Sequence, residues 1–218
     1  MSRPGHTLLL GIGLLVGLAA IPLTARADTV NLFNTFGPNH TSDCCTGVVE
    51  SQGLNQFAAM AFTPNATSTL GSIDVAVAFD FSGEVFTLAL MTDAGGVPGS
   101  IIESWSVTTT FGITDCGHCF ETAFSSQHPV LQAGTQYWLV PFYTGEGFVN
   151  WQGTIIGARG TAAFSSDGGK TWSLSPNFGL TAFDIRSASG STVPEPTTLM
   201  LLGTGALGII GAARLRRN

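Results

Sequence analysis

The apolar positions of this chain fall into two regimes. Long unbroken apolar runs occupy the two ends, and short alternating bursts fill the stretch between them. In the middle, Ile73, Val75, Val77 and Phe79 share one face with a period of two, which predicts a strand over Ile73–Phe79. Val85–Met91 is apolar on both faces and reads as a central strand. Ile101–Val107, Gln136–Tyr143 and Leu180–Ile185 continue the series, with Val30–Phe36 and Phe57–Phe62 as further candidates. Turn chemistry separates them: Phe81–Glu84, Asp93–Gly99 and Gln132–Thr135. No stretch of the middle has a helical period. Many short strands with no strand–helix alternation predict an all-β fold, an antiparallel β-sandwich of jelly-roll type.

The ends carry a different message. Arg3 and His6 precede an apolar run from Leu8 to Leu23, and Ala25-Arg26-Ala27 follows. This is the pattern of a secretory signal peptide, residues 1–27, cut after Ala27. At the other end, Pro194-Glu195-Pro196 precedes an apolar segment, Thr197–Ala213, and then Arg214, Arg216 and Arg217. As a helix, residues 197–213 would rise about 25 Å against a hydrocarbon core of about 30 Å. That span is short but workable, because the arginines can reach the headgroups and favour the cytoplasmic side. Pro194 and Pro196 disfavour helix just before it, leaving an extended segment open to an enzyme. The organisation is therefore a signal peptide (1–27), an extracytoplasmic β-domain (28–186), a flexible Ser/Gly stalk (187–193) and a C-terminal segment (194–218).

Charge narrows the partners. Five of the eight basic residues lie in the two ends, so residues 28–193 keep Arg159, Lys170 and Arg186 against thirteen acids. Nucleic-acid binding needs a basic footprint, and this body has none, so no nucleic acid is expected.

The C-terminal order of Pro-Glu-Pro, Gly-rich apolar segment and Arg cluster resembles the PEP-CTERM sorting signal. The resemblance implies recognition by a membrane-embedded exosortase, through Pro194, Glu195 and Pro196 together with the arginines. It further implies export, an inner-membrane-tethered precursor, and a final place at the cell surface or in an exopolysaccharide matrix. The body is similar to the choice-of-anchor type of β-domain that accompanies such tails. The shared pieces are Asp43–Gly47, Asp93–Gly99 followed by Glu103-Ser104-Trp105, and Ala133–Val140. That resemblance implies no activity.

Four cysteines form two tight pairs, Cys44-Cys45 and Cys116-Gly117-His118-Cys119. Export favours disulfides, with the two pairs cross-linked to each other. A zinc site using His118 or His40, and a redox Cys-x-x-Cys, are the alternatives. The redox motif needs a thioredoxin-like setting that an all-β pattern does not offer. Ser165–Trp172 fits the Asp-box pattern and predicts a hairpin turn built on Asp167. Trp138, Trp151 and Trp172, with Tyr137 and Tyr143, form a candidate sugar-stacking platform, and Trp151, flanked by Asn150 and Gln152, is its leading ring. This supports a carbohydrate-binding module as the alternative to a surface protein without ligand. Asp80, Glu84, Asp93 and Asp115 are candidates for a structural Ca²⁺; no catalytic metal or other cofactor is expected. The sequence contains neither G-x-S-x-G nor H-E-x-x-H. A non-enzymatic protein is expected, with a glycan-active hydrolase or lyase as the alternative.

Overall fold

The computed structural model describes residues 29–51, 56–79, 83–112, 119–143 and 148–188. Fourteen strands run through them, with one 3-10 turn at Pro38–His40. In chain order they are β1 (Asn31–Asn34), β2 (Asp43–Ser51), β3 (Phe57–Phe62), β4 (Ser68–Val75) and β5 (Val77–Phe79). Then come β6 (Val85–Asp93), β7 (Pro98–Thr108), β8 (Glu121–Phe124), β9 (Val130–Leu131) and β10 (Tyr137–Phe142). The last four are β11 (Phe148–Gly153), β12 (Arg159–Ser165), β13 (Ser173–Gly179) and β14 (Phe183–Ser187).

The strands assemble into three sheets, and every strand pairing is antiparallel. The first sheet has the order β1-β14-β4-β8, with the short β9 also on β4. The second runs β13-β12-β3-β10-β6-β7, and the third β2-β11-β5. One apolar cluster draws on all three. Leu32, Ile73, Phe183 and Ile185 come from the first sheet, Met60, Phe86, Leu88 and Leu139 from the second, Val77, Phe79 and Trp151 from the third. The sheets thus bury their period-two faces against one another, as the all-β expectation requires.

The strand expected over Ile73–Phe79 divides. β4 ends at Val75 in the first sheet and β5 begins at Val77 in the third. Between them Ala76 donates its N–H to Ala182 and accepts one from Gln152, so its backbone is satisfied while the chain changes sheets. The stretch expected over Leu180–Ile185 becomes a strand only from Phe183, because Gly153 bridges Thr181 before β14 starts. The signal segment (1–27) and the apolar segment (197–213) lie outside the described residues. Among the described residues, no helix is long and apolar enough to cross a membrane.

Trp151 sits midway along β11, the central strand of the third sheet, opposite Val48 on one side and Val77 on the other. It is fully buried, its ring centroid is 5.8 Å from that of Phe183, and its Nε1–H donates to the Ala182 carbonyl at 3.4 Å. Trp151→Ala should therefore cost about 3–5 kcal/mol by cavity formation, measured as a shifted urea midpoint at unchanged slope.

Candidate functional site

The most heavily charged part of the described structure lies on the outer face of the first sheet. Ile73 and Val75 of β4, and Phe183 and Ile185 of β14, point into the core. Alternation then sends Asp74 and Asp184 to the opposite face, and the register sets them directly across from each other. Two carboxylates so placed repel. Arg186, two residues beyond Asp184 on the same face, resolves this. Its Nε donates to Asp184 Oδ2 at 2.7 Å and its terminal nitrogen meets Asp74 Oδ2 at 2.9 Å. Thr122 of β8 donates to the other Asp74 oxygen at 2.7 Å.

The 3-10 turn covers this row. His40 stacks on Phe36 with ring centroids 3.8 Å apart, and Phe120 meets it edge-on at 4.4 Å. Its Nε2 stands 3.2 Å from Asp74 Oδ2 but lacks hydrogen-bond geometry. Burial holds the imidazole below its ordinary value, although the Asp74 carboxylate pulls the other way. Burial pushes the Asp184 carboxyl up, against the opposing hydrogen bond from Arg186. Asp184 Oδ1 has no hydrogen-bond partner among the described residues. With His40 neutral, two carboxylates face one guanidinium.

His40, Asp74 and Asp184 bring one nitrogen and two oxygens within 4.8 Å of one another. Such a donor set suits a divalent metal in principle. Here Arg186 already bridges both carboxylates, so the row is an internal ion-pair network in which one guanidinium serves two acids. Sequence reading missed it because Asp74 and Asp184 are 110 residues apart and only the strand register sets them opposite each other. The available signal was that both stand at outward positions of strands whose neighbours alternate.

Beside the network a cleft of about 390 Å³ opens between Phe124, Ser125, His128, Arg186 and Ala188. Its loop is fixed by Glu103, a buried carboxylate of β7. Glu103 accepts the Ser125 hydroxyl at 2.7 Å and the backbone N–H groups of Ser126 at 2.7 Å and Gln127 at 3.2 Å. Burial opposes its ionisation, but these hydrogen bonds outweigh it and hold the carboxyl low.

The turn motifs behave as their chemistry requires. Asp167 accepts the Lys170 and Thr171 N–H groups and the Thr171 hydroxyl at 3.0, 2.9 and 2.6 Å. The Thr171 bonds lead in lowering its carboxyl to about 2. Gly168 and Gly169 take φ of 77° and 83°, the conformation the tight turn between β12 and β13 needs. Asp93 closes the turn between β6 and β7. Its Oδ1 accepts Trp138 Nε1–H and the Gln136 amide, each at 2.8 Å, and its Oδ2 accepts Gly96 N–H at 3.0 Å. Burial opposes ionisation of this carboxyl too, and the Trp138, Gly96 and Gln136 bonds overcome it.

The other expected site residues are placed as follows. Trp151 is not an exposed ring but a core one. Asn150 and Gln152 fall on the opposite face of β11 and are themselves buried, because neighbours in a strand point away from each other. Ser42 donates its hydroxyl to the Gln152 side chain. Tyr143 is buried against Phe79 and donates to Glu84 at 3.2 Å. Trp151, Asn150, Gln152 and Tyr143 are therefore all closed to solvent, as are Trp138 and Tyr137, while Trp172 is half-buried. Cys119 is buried; Cys116, the side chains of Cys44 and Cys45, Asp80 and Asp115 lie outside the described residues. So do Pro194, Glu195, Pro196, Arg214, Arg216 and Arg217.

Residues 192–217 match the family model of the PEP-CTERM protein-sorting motif. The match begins five residues after β14 ends at Ser187. No curated protein matches the chain. The motif implies an exported protein processed by an exosortase-like membrane enzyme.

Two outcomes follow from the network. Arg186→Met should cost about 3 kcal/mol, the low end for breaking a buried pair, because Arg186 is 38% exposed while both carboxylates are buried. Equilibrium denaturation at pH 7 measures it. The His40 imidazole is depressed in the folded state, so the unfolded chain binds the extra proton first and stability falls as pH drops below about 6.5. Repeating the denaturation from pH 7 to pH 5 should show a smaller loss in His40→Gln than in the parent chain.

Proposed function

We propose that this chain is a non-enzymatic surface or matrix protein, exported through its N-terminal signal and tethered for a time by its C-terminal apolar segment. An exosortase-type enzyme reads Pro194-Glu195-Pro196 and releases the β-domain, which resides at the cell surface or in an exopolysaccharide matrix. The observation that carries this reading is the match of the sorting motif at residues 192–217, immediately behind the last strand of an all-β body. In this reading the body is the cargo, of the choice-of-anchor type, and the tail is its address. The cysteines form disulfides after export.

Intact mass of the protein recovered from its host, in membranes and in the medium, tests the proposal. The expected species in the medium starts at Asp28 and ends near Pro194–Pro196. Without reductant it should lack one hydrogen for each of its four cysteines. A species retaining Asn218 and confined to membranes would reduce the tail to a simple anchor and remove the sorting enzyme from the account.

A further inference from the structure

Both ends of the folded body leave through one place. β1 pairs with β14 so that Asn31 stands opposite Arg186. Ser187 donates its N–H to Val30 at 2.9 Å, and Ala188 donates to Thr69 at 2.9 Å. Thr29 and Ala188, the first and last described residues next to the two terminal segments, both line the cleft beside Arg186.

Phe124 is the one large apolar side chain lining this cleft. Phe124 is 73% exposed, the most exposed of eight large apolar side chains at the surface among the described residues, and Val30 and Val130 are two more of them. All three gather around the start of β4. Phe124 stands opposite Ser72 and Val130 opposite Thr69, while Val30 is bonded to Ser187, itself opposite Leu70. Arg186 and His128 line the same cleft. Exposed apolar side chains next to the point where a membrane tether leaves the fold are placed to settle at a lipid headgroup boundary.

We infer that this end of the β-domain rests on the lipid bilayer that holds the tail. The inference depends on the tethering reading above. Eight residues, 189–196, separate Ala188 from the apolar segment. Fully extended they span at most about 3.6 Å each, about 30 Å in all. The tether therefore keeps this end close to the headgroups at high effective concentration. The acidic remainder of the body is repelled by anionic lipid, which orients the domain with Phe124 toward the surface.

The test uses the full chain in vesicles of phosphatidylethanolamine and phosphatidylglycerol, doped with a phospholipid carrying a diazirine in its acyl chain. After irradiation, lipid adducts are mapped by peptide mass spectrometry. Adducts are expected in residues 197–213 and on Phe124 and Val130. Leu174 and Ile101, 49% and 55% exposed on the second sheet, should carry none. The double variant Phe124→Asp, Val130→Asp should lose the body adducts, keep those of the tail, and melt as the parent chain does. A labelled tail with an unlabelled Phe124 would overturn the inference and leave the face to a protein partner. Equal labelling at Leu174, or body adducts that survive the double variant, would overturn it too. If the tail itself takes no label and the chain stays in solution, the tethering reading falls and this inference with it.

Discussion

The pairing of the first strand with the last organises this molecule. β14 lies between β1 and β4, so the last described strand is locked in place by the first and by one from the middle of the body. Contacts between residues more than 150 positions apart form late and cost loop entropy. They are held because Leu32, Phe183 and Ile185 enter the common core together. Everything of chemical interest on the first sheet depends on that register, including the opposition of Asp74 to Asp184 and the reach of Arg186 to both.

That register also creates a liability. Like charges face each other across β4 and β14 away from bulk water, an arrangement that would weaken the sheet if left alone. The guanidinium of Arg186 and the hydroxyl of Thr122 offset it from opposite sides. The imidazole of His40, clamped between Phe36 and Phe120, closes the row against solvent. The 3-10 turn is thus bound to the sheet by aromatic stacking as much as by charge. This places the segment between β1 and β2 under the control of the same two carboxylates.

The fold class was legible because period-two alternation is a local signal. β3, β6 and β10 stand close to where the pattern predicts them, as do the Asp93 and Asp167 turns, in each of which the carboxylate accepts backbone N–H groups three or four residues on. What failed was non-local. The change of sheet at Ala76 leaves no mark in an alternating run, since both halves bury the same face. The glycan platform failed for a different reason. Asn150, Trp151 and Gln152 are adjacent in sequence, but a strand places adjacent side chains on opposite faces, and a central strand buries both. The Asp74–Asp184–Arg186–His40 network was invisible because no spacing rule links a turn at residue 40 to strands at 74 and 184. The sorting motif was readable from its order of three chemical parts, which needs no tertiary structure.

The placement of β14 has a mechanical consequence. A domain held by its C-terminal end is pulled along the axis of its final strand whenever the surrounding material moves. β14 is flanked on both sides by antiparallel neighbours, so such a load falls in shear on two ladders of hydrogen bonds at once. Rungs loaded together resist far better than rungs opened one at a time. A strand at the sheet's edge would peel; this one must slide past two partners before the body yields.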